Sequence, residues 1–171
     1  MSSPLRTLSC LALVAVIAAP VHAAPVTPET PAPIDSLFAT DILQAELLAH
    51  LDAGEYAQVL QKTAEHDGSL DATSRGLRIA AQVYSGDLAA AKSGLATFGP
   101  GEGLPALAAG AIAEAYLAAG YPELAGYSTQ LGLIEQFDSS HLLFLTGRLQ
   151  LQAGRRREAA RYLQAAAFFF F

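Results

Sequence analysis

The stretch "LAAGYPELAGY", Leu117 to Tyr127, has the leucine and alanine spacing of one helix, yet Gly120 and Pro122 stand inside it. In a helix interior Gly is about 1 kcal/mol and Pro about 3 kcal/mol worse than Ala, so the pair marks a break. The same break recurs in "LDAGEYAQV" (Leu51 to Val59), "VYSGDLAAA" (Val83 to Ala91) and "LQAGRRREAA" (Leu151 to Ala160). The glycines at 54, 86, 120 and 154 are 32, 34 and 34 residues apart. A fixed period of that length points to stacked supersecondary units, none of which can bury its apolar face alone.

Between the breaks nearly every segment follows a 3.6-residue period. Leu43, Leu47, Leu48 and Leu51 form one apolar stripe, and Leu77, Ile79, Ala80 and Val83 the next. Strand-like alternation of β-branched and aromatic residues is absent, so the chain is expected to be all-α. Each glycine ends a first helix in the left-handed conformation that L-residues avoid. Pro122 then suits the first turn of the following, shorter helix, where its missing N–H is no loss. Turn-rich stretches close each unit: "HDGSLDATS" (66 to 74), "FGPGEGLP" (98 to 105) and "EQFDSS" (135 to 140). The result is four helix-turn-helix hairpins, near 40–71, 72–105, 106–139 and 140–171, in a domain that starts at residue 35 with Asp35 or Ser36 as the first cap.

The N-terminal residues differ from the rest. Arg6, an apolar run from Leu8 to Ala19 and small residues up to Ala23 read as a secretory signal peptide over 1–23, cut after Ala23. The run is shorter than the ~20 residues that span a bilayer. Cys10 precedes most of it, which argues against a lipidated cysteine, and cleavage would remove this single cysteine of the chain. The expected location is periplasmic or secreted. Residues 24–34, "APVTPETPAPI", carry four prolines and read as an extended linker. Residues 24–147 hold 15 acidic and 4 basic residues, whereas 148–171 hold five arginines and one acid, Glu158. The acidic balance disfavours nucleic acid as a partner. The asymmetry favours steering of a charged partner or head-to-tail self-association.

The hairpin pattern resembles the tetratricopeptide repeat family over roughly Thr40 to Phe171. The small residue that the family prefers early in the second helix is met by Ala91, Ala125 and Ala159, with Val59 as the exception. The aromatic after the turn is met by Tyr56 and Tyr121, replaced by Leu88 and broken by Arg156. The small residue in the first helix is met by Ala113 and Gly147 and missed at Leu47 and Ile79. The resemblance implies a right-handed α-solenoid whose first helices line a concave groove that binds extended or helical peptides. Carried over position by position, the groove is lined by Asp41, Gln44, Leu48, Leu51 and Asp52 in the first unit. Thr73, Ala80, Val83, Tyr84, Leu107, Glu114 and Leu117 follow in the middle units. His141, Phe144, Arg148, Leu151 and Gln152 complete it in the fourth, with Arg148 expected to hold an acidic ligand group. The carboxylate clamp of the family's chaperone-tail binders is absent, since Gln44, Leu48, Leu77, Leu107 and Ala111 stand in its places.

Arg155, Arg156, Arg157 and Arg161 form a basic patch at the start of the last helix, followed by the run Phe168 to Phe171. Short charge runs are usually a solvated face. Together with the aromatics, this one also suits an anionic membrane surface or a docking partner. No metal, cofactor or nucleophile signature stands out among His22, His50, His66 and His141. His66-Asp67 resembles the pair of an all-helical metal-dependent phosphohydrolase superfamily, but "HDGSLD" is too compact for that site and reads as an inter-repeat turn. The expected function is a non-enzymatic adaptor or scaffold that binds a protein or peptide, without a cofactor. The alternative is the docking arm of a larger envelope assembly or secretion protein.

Overall fold

Each of the four break glycines ends a helix with positive φ, at 75°, 82°, 84° and 76° for Gly54, Gly86, Gly120 and Gly154. These values come from a computed structural model that describes residues 34–98 and 103–170, with side chains from residue 40. The expected signal peptide, its cleavage site, Cys10 and all of the linker except Ile34 lie outside the described residues.

Eight α-helices result among the described residues: α1 Ile34–Asp52, α2 Tyr56–Glu65, α3 Ala72–Tyr84, α4 Leu88–Ala96, α5 Ala106–Ala118, α6 Pro122–Glu135, α7 Ser140–Gln152 and α8 Arg156–Phe169. No strand occurs among them, and the fold is all-α. The four turns share one hydrogen-bond pattern. The N–H groups of Glu55, Asp87, Tyr121 and Arg155 donate to the carbonyls five residues back at 2.8, 2.9, 2.8 and 2.9 Å, while each glycine N–H donates to the carbonyl three back. This is the Schellman closure, which satisfies two otherwise orphaned carbonyls and requires the left-handed residue between them. The two side chains bracketing the closure also meet in three of the turns. His50 Nδ1 lies 2.7 Å from Glu55 Oε2, the Tyr116 and Tyr121 rings meet edge to face at 6.5 Å, and Arg155 donates to Gln150 Oε1 at 3.4 Å.

Three details differ from the sequence reading. Helix α1 starts at Ile34, so Asp35 and Ser36 fall in its first turn instead of preceding it. The second helices are not uniformly shorter, because α6 and α8 run 14 residues against 13 for α5 and α7. Arg155 is the N-cap of α8, and only Arg156, Arg157 and Arg161 lie within the helix.

The hairpins pack α1 on α2, α3 on α4, α5 on α6 and α7 on α8, and the first helices continue in a row, α1 on α3, α3 on α5 and α5 on α7. The row is close because small residues line its seams. A methyl added at Gly76 would sit 2.4 Å from Ala108 Cβ on the next first helix, and one at Gly110 would sit 2.8 Å from the His141 ring. Phe144 stands 34 residues beyond Gly110, as Gly110 stands beyond Gly76, and is 47% exposed. One apolar cluster runs from Ile79 on α3 to Leu149 on α7, and a smaller one of Leu47, Val59, Leu77 and Ala81 ties α1 and α2 to α3. Within a hairpin the four equivalent positions Val59, Ala91, Ala125 and Ala159 are all fully buried, which is why three of them are alanine: a larger side chain would hold the two helices apart. Salt bridges reinforce the first hairpin, where Lys62 on α2 reaches Glu46 on α1 at 2.6 Å. That hydrogen bond, with the Lys62 charge, holds the Glu46 carboxyl below its ordinary range.

Three measurements follow by denaturant titration. Gly86→Ala, at a positive φ with open space around it, should destabilise by about 1–2 kcal/mol from backbone strain alone. Gly126→Ala in the interior of α6, also in open space but with ordinary helical φ, should instead stabilise by about 0.5–1 kcal/mol. Tyr116→Phe should be neutral or stabilising by up to about 1 kcal/mol, because the Tyr116 hydroxyl is buried without a hydrogen-bond partner.

Candidate functional site

The row of first helices leaves an open groove of about 720 Å³ on its exposed side. Leu48, Leu51 and Asp52 come to it from α1, Tyr84 from α3, Ala106, Leu107, Ala111 and Glu114 from α5, and His141 from α7. Tyr56 enters from the start of α2 and Ser139 from the turn before α7. Seven of the positions expected from the sequence are therefore together: Leu48, Leu51, Asp52, Tyr84, Leu107, Glu114 and His141.

The groove has a floor and a charge. The Tyr56 and Tyr84 rings stack at 4.7 Å with planes 10° apart. Burial raises the Tyr84 phenol above its ordinary range, and the Glu114 carboxylate, Tyr56 and the Asp52 carboxylate push it the same way. Asp52 and Glu114 thus act on one aromatic centre from α1 and α5. Glu114 also faces His141 across the α5–α7 seam, with Nε2 3.5 Å from Oε1. Among the lining residues there is no lysine or arginine.

The remaining expected positions are placed differently. Ala80 and Val83 are core residues, because the α3 face that carries them packs inward. Leu117 is half-buried against the same core. Gln44 is turned to a structural task, donating to the Asp71 carboxylate, which caps α3 by accepting from the Ser74 N–H at 2.8 Å. Asp41 is exposed and does not line the groove. Phe144 lines a smaller adjoining cleft of about 470 Å³ with Ser140, His141, Leu163, Ala166, Ala167 and Phe170. Arg148 lies over the Phe144 ring at 5.9 Å instead of in the main groove, so it does not meet a ligand there. Gln152 lines a separate cleft with Glu123 and Arg155, and Thr73 and Leu151 line neither. A groove needs walls from two neighbouring first helices, and among the described residues no first helix faces α7 from beyond. The latter half of α7 therefore has no opposing wall.

Sequence reasoning did not assign Tyr56 to the groove. Its position directly after the Gly54 turn carried the signal, since that turn aims it back toward the end of the next first helix. His66 and Asp67 serve the inter-repeat turn: His66 Nδ1 lies 3.0 Å from the Lys62 carbonyl, and Asp67 pairs with Arg78. Arg156, Arg157 and Arg161 are exposed along α8, as is Arg155 ahead of it. Among the described residues no group of three or more His, Cys, Asp or Glu side chains is placed to hold a metal, and no helix is long and apolar enough to cross a membrane. Compared with family models, with curated proteins and with solved structures, the chain finds no match in any of the three.

Tyr84 provides a direct readout of this electrostatic setting. Its titration, followed by NMR of the ring, should lie above the ordinary value of about 10. Glu114→Gln should lower it while leaving the larger effect of burial in place. The folded state holds this proton more tightly than the unfolded chain does. Its contribution to stability is therefore full below the ordinary tyrosine range and is lost as pH rises through the folded value.

Proposed function

We propose that the chain is a non-enzymatic interaction module of the tetratricopeptide type, acting as an adaptor or scaffold that takes a protein or peptide segment along its first helices. The observation that carries this reading is the groove itself. It is open to solvent, takes residues from four successive units and is lined by apolar, aromatic and acidic side chains together. An open surface shared by several repeats suits a segment of chain better than a compact small molecule. The 32- and 34-residue period supports the family assignment. Export to the periplasm or the outside is part of the same proposal and rests on the apolar run and small residues of the first 23 positions.

The test uses a substitution that the fold tolerates. Leu107 is 49% exposed on α5 and lines the groove, so Leu107→Arg should leave the helical circular dichroism and the melting temperature unchanged. Peptides selected from a random display library on the wild-type chain should lose at least about tenfold in affinity to that variant, corresponding to about 1.4 kcal/mol. They should retain affinity for His66→Ala. Equal binding by both variants would overturn the groove as the binding surface.

A further inference from the structure

Resting on the groove reading, the choice of occupant follows from charge. Asp52 and Glu114 both line the groove, and no lysine or arginine does. Of the cations on the first two hairpins, Lys62 pairs with Glu46, Arg78 pairs with Asp67, Arg75 lies over the Phe98 ring at 4.9 Å, and Lys92 on α4 lies beside Tyr121 and Pro122, away from the groove. The stacked Tyr56–Tyr84 pair lines the same groove, and both carboxylates act on the Tyr84 phenol. An ammonium or guanidinium group is attracted both to carboxylates and to the electron-rich faces of aromatic rings, and its aliphatic stem packs on apolar surface. An acidic segment would meet two like charges in the same place.

We propose that the groove takes an extended, basic peptide segment whose lysine or arginine side chain seats beside Asp52, Tyr84 and Glu114, with apolar neighbours against Leu48 and Leu107. The His141 imidazole at 3.5 Å from Glu114 is farther than a formed N–H···O bond, so the carboxylate keeps acceptor capacity for this cation. The charge preference is the reverse of the acidic-ligand expectation attached to Arg148, which the Phe144 ring holds outside the groove.

The experiment is fluorescence anisotropy with the full chain and three labelled peptides built from Gly-Leu-Lys, Gly-Leu-Gln or Gly-Leu-Glu units. The lysine peptide should bind, the glutamine peptide roughly tenfold more weakly, and the glutamate peptide weaker still. Raising salt from about 50 to about 500 mM should erode the difference. Asp52→Asn and Glu114→Gln should each weaken the lysine peptide roughly threefold, and together roughly tenfold, with the circular dichroism spectrum unchanged. The lysine peptide should also lower the Tyr84 titration, as a cation beside the phenolate would.

If the glutamine peptide binds as well as the lysine peptide and both are lost in Leu107→Arg, the basic occupant is wrong while the groove reading stands. Lysine-peptide binding that ignores both amide variants and Leu107→Arg would place it on the general acidic surface and overturn the proposal. If none of the three peptides binds, the basic-segment proposal falls, and the groove reading is decided by the library-selected peptides and Leu107→Arg. Self-association of the chain that is lost in Glu114→Gln would give the place to the arginine face of a second copy, and would likewise overturn it.

Discussion

The structure depends on one backbone constraint, repeated four times: a helix must end, reverse and restart within a few residues while two of its terminal carbonyls stay satisfied. The left-handed residue at Gly54, Gly86, Gly120 and Gly154 meets it, and the two hydrogen bonds around each glycine fix the angle at which the second helix leaves. Because all four turns are alike, the four hairpins reverse in the same way although their helices differ in length. Their equivalence lets the same inner positions, Val59, Ala91, Ala125 and Ala159, be buried in each. A turn of a different kind in one unit would rotate its second helix and spoil the seam with the next.

The groove follows from the same regularity. First helices lie in a row because Gly76 and Gly110 let them approach, and the faces they leave exposed meet in a shared trough. The side chains along it are not equivalent from unit to unit. Buried positions answer to packing and converge, whereas Asp52, Tyr84, Glu114 and His141 face the trough and differ in kind. Chemical individuality is thus confined to one surface of a repetitive scaffold.

How far the sequence could be read follows from that division. The turns were legible because few residues other than glycine accept a positive φ, so the period was written in one residue type. The seven groove positions from Leu48 to His141 came from the resemblance, which carries one face of each first helix over position by position. The errors have local causes. Ala80 and Val83 were carried into the groove by the resemblance, although they belong to the apolar stripe of α3 and the core buries them. Gln44 was turned aside by Asp71, a partner 27 residues away that no pattern along the chain announces. Arg148 was assigned a ligand-binding task from its charge, but it lies over the Phe144 ring one turn earlier and does not line the main groove. Tyr56 was seen as a turn residue and not as part of the trough, since its stacking partner lies in the next hairpin.

The substitution of Phe144 where Gly76 and Gly110 precede it changes what the array can accept at that joint. Helix axes approach to 8–10 Å according to the side chains between them. The two glycine joints therefore admit a neighbour in register, whereas a phenylalanine holds the next body back by the thickness of a ring and offers an apolar knob in place of a hole. The close approach that operates at the Gly76 and Gly110 joints does not extend to the Phe144 position. Whatever meets α7 there must bring its own recess for the ring, and a copy of the preceding hairpin, shaped to fill a hole, carries none.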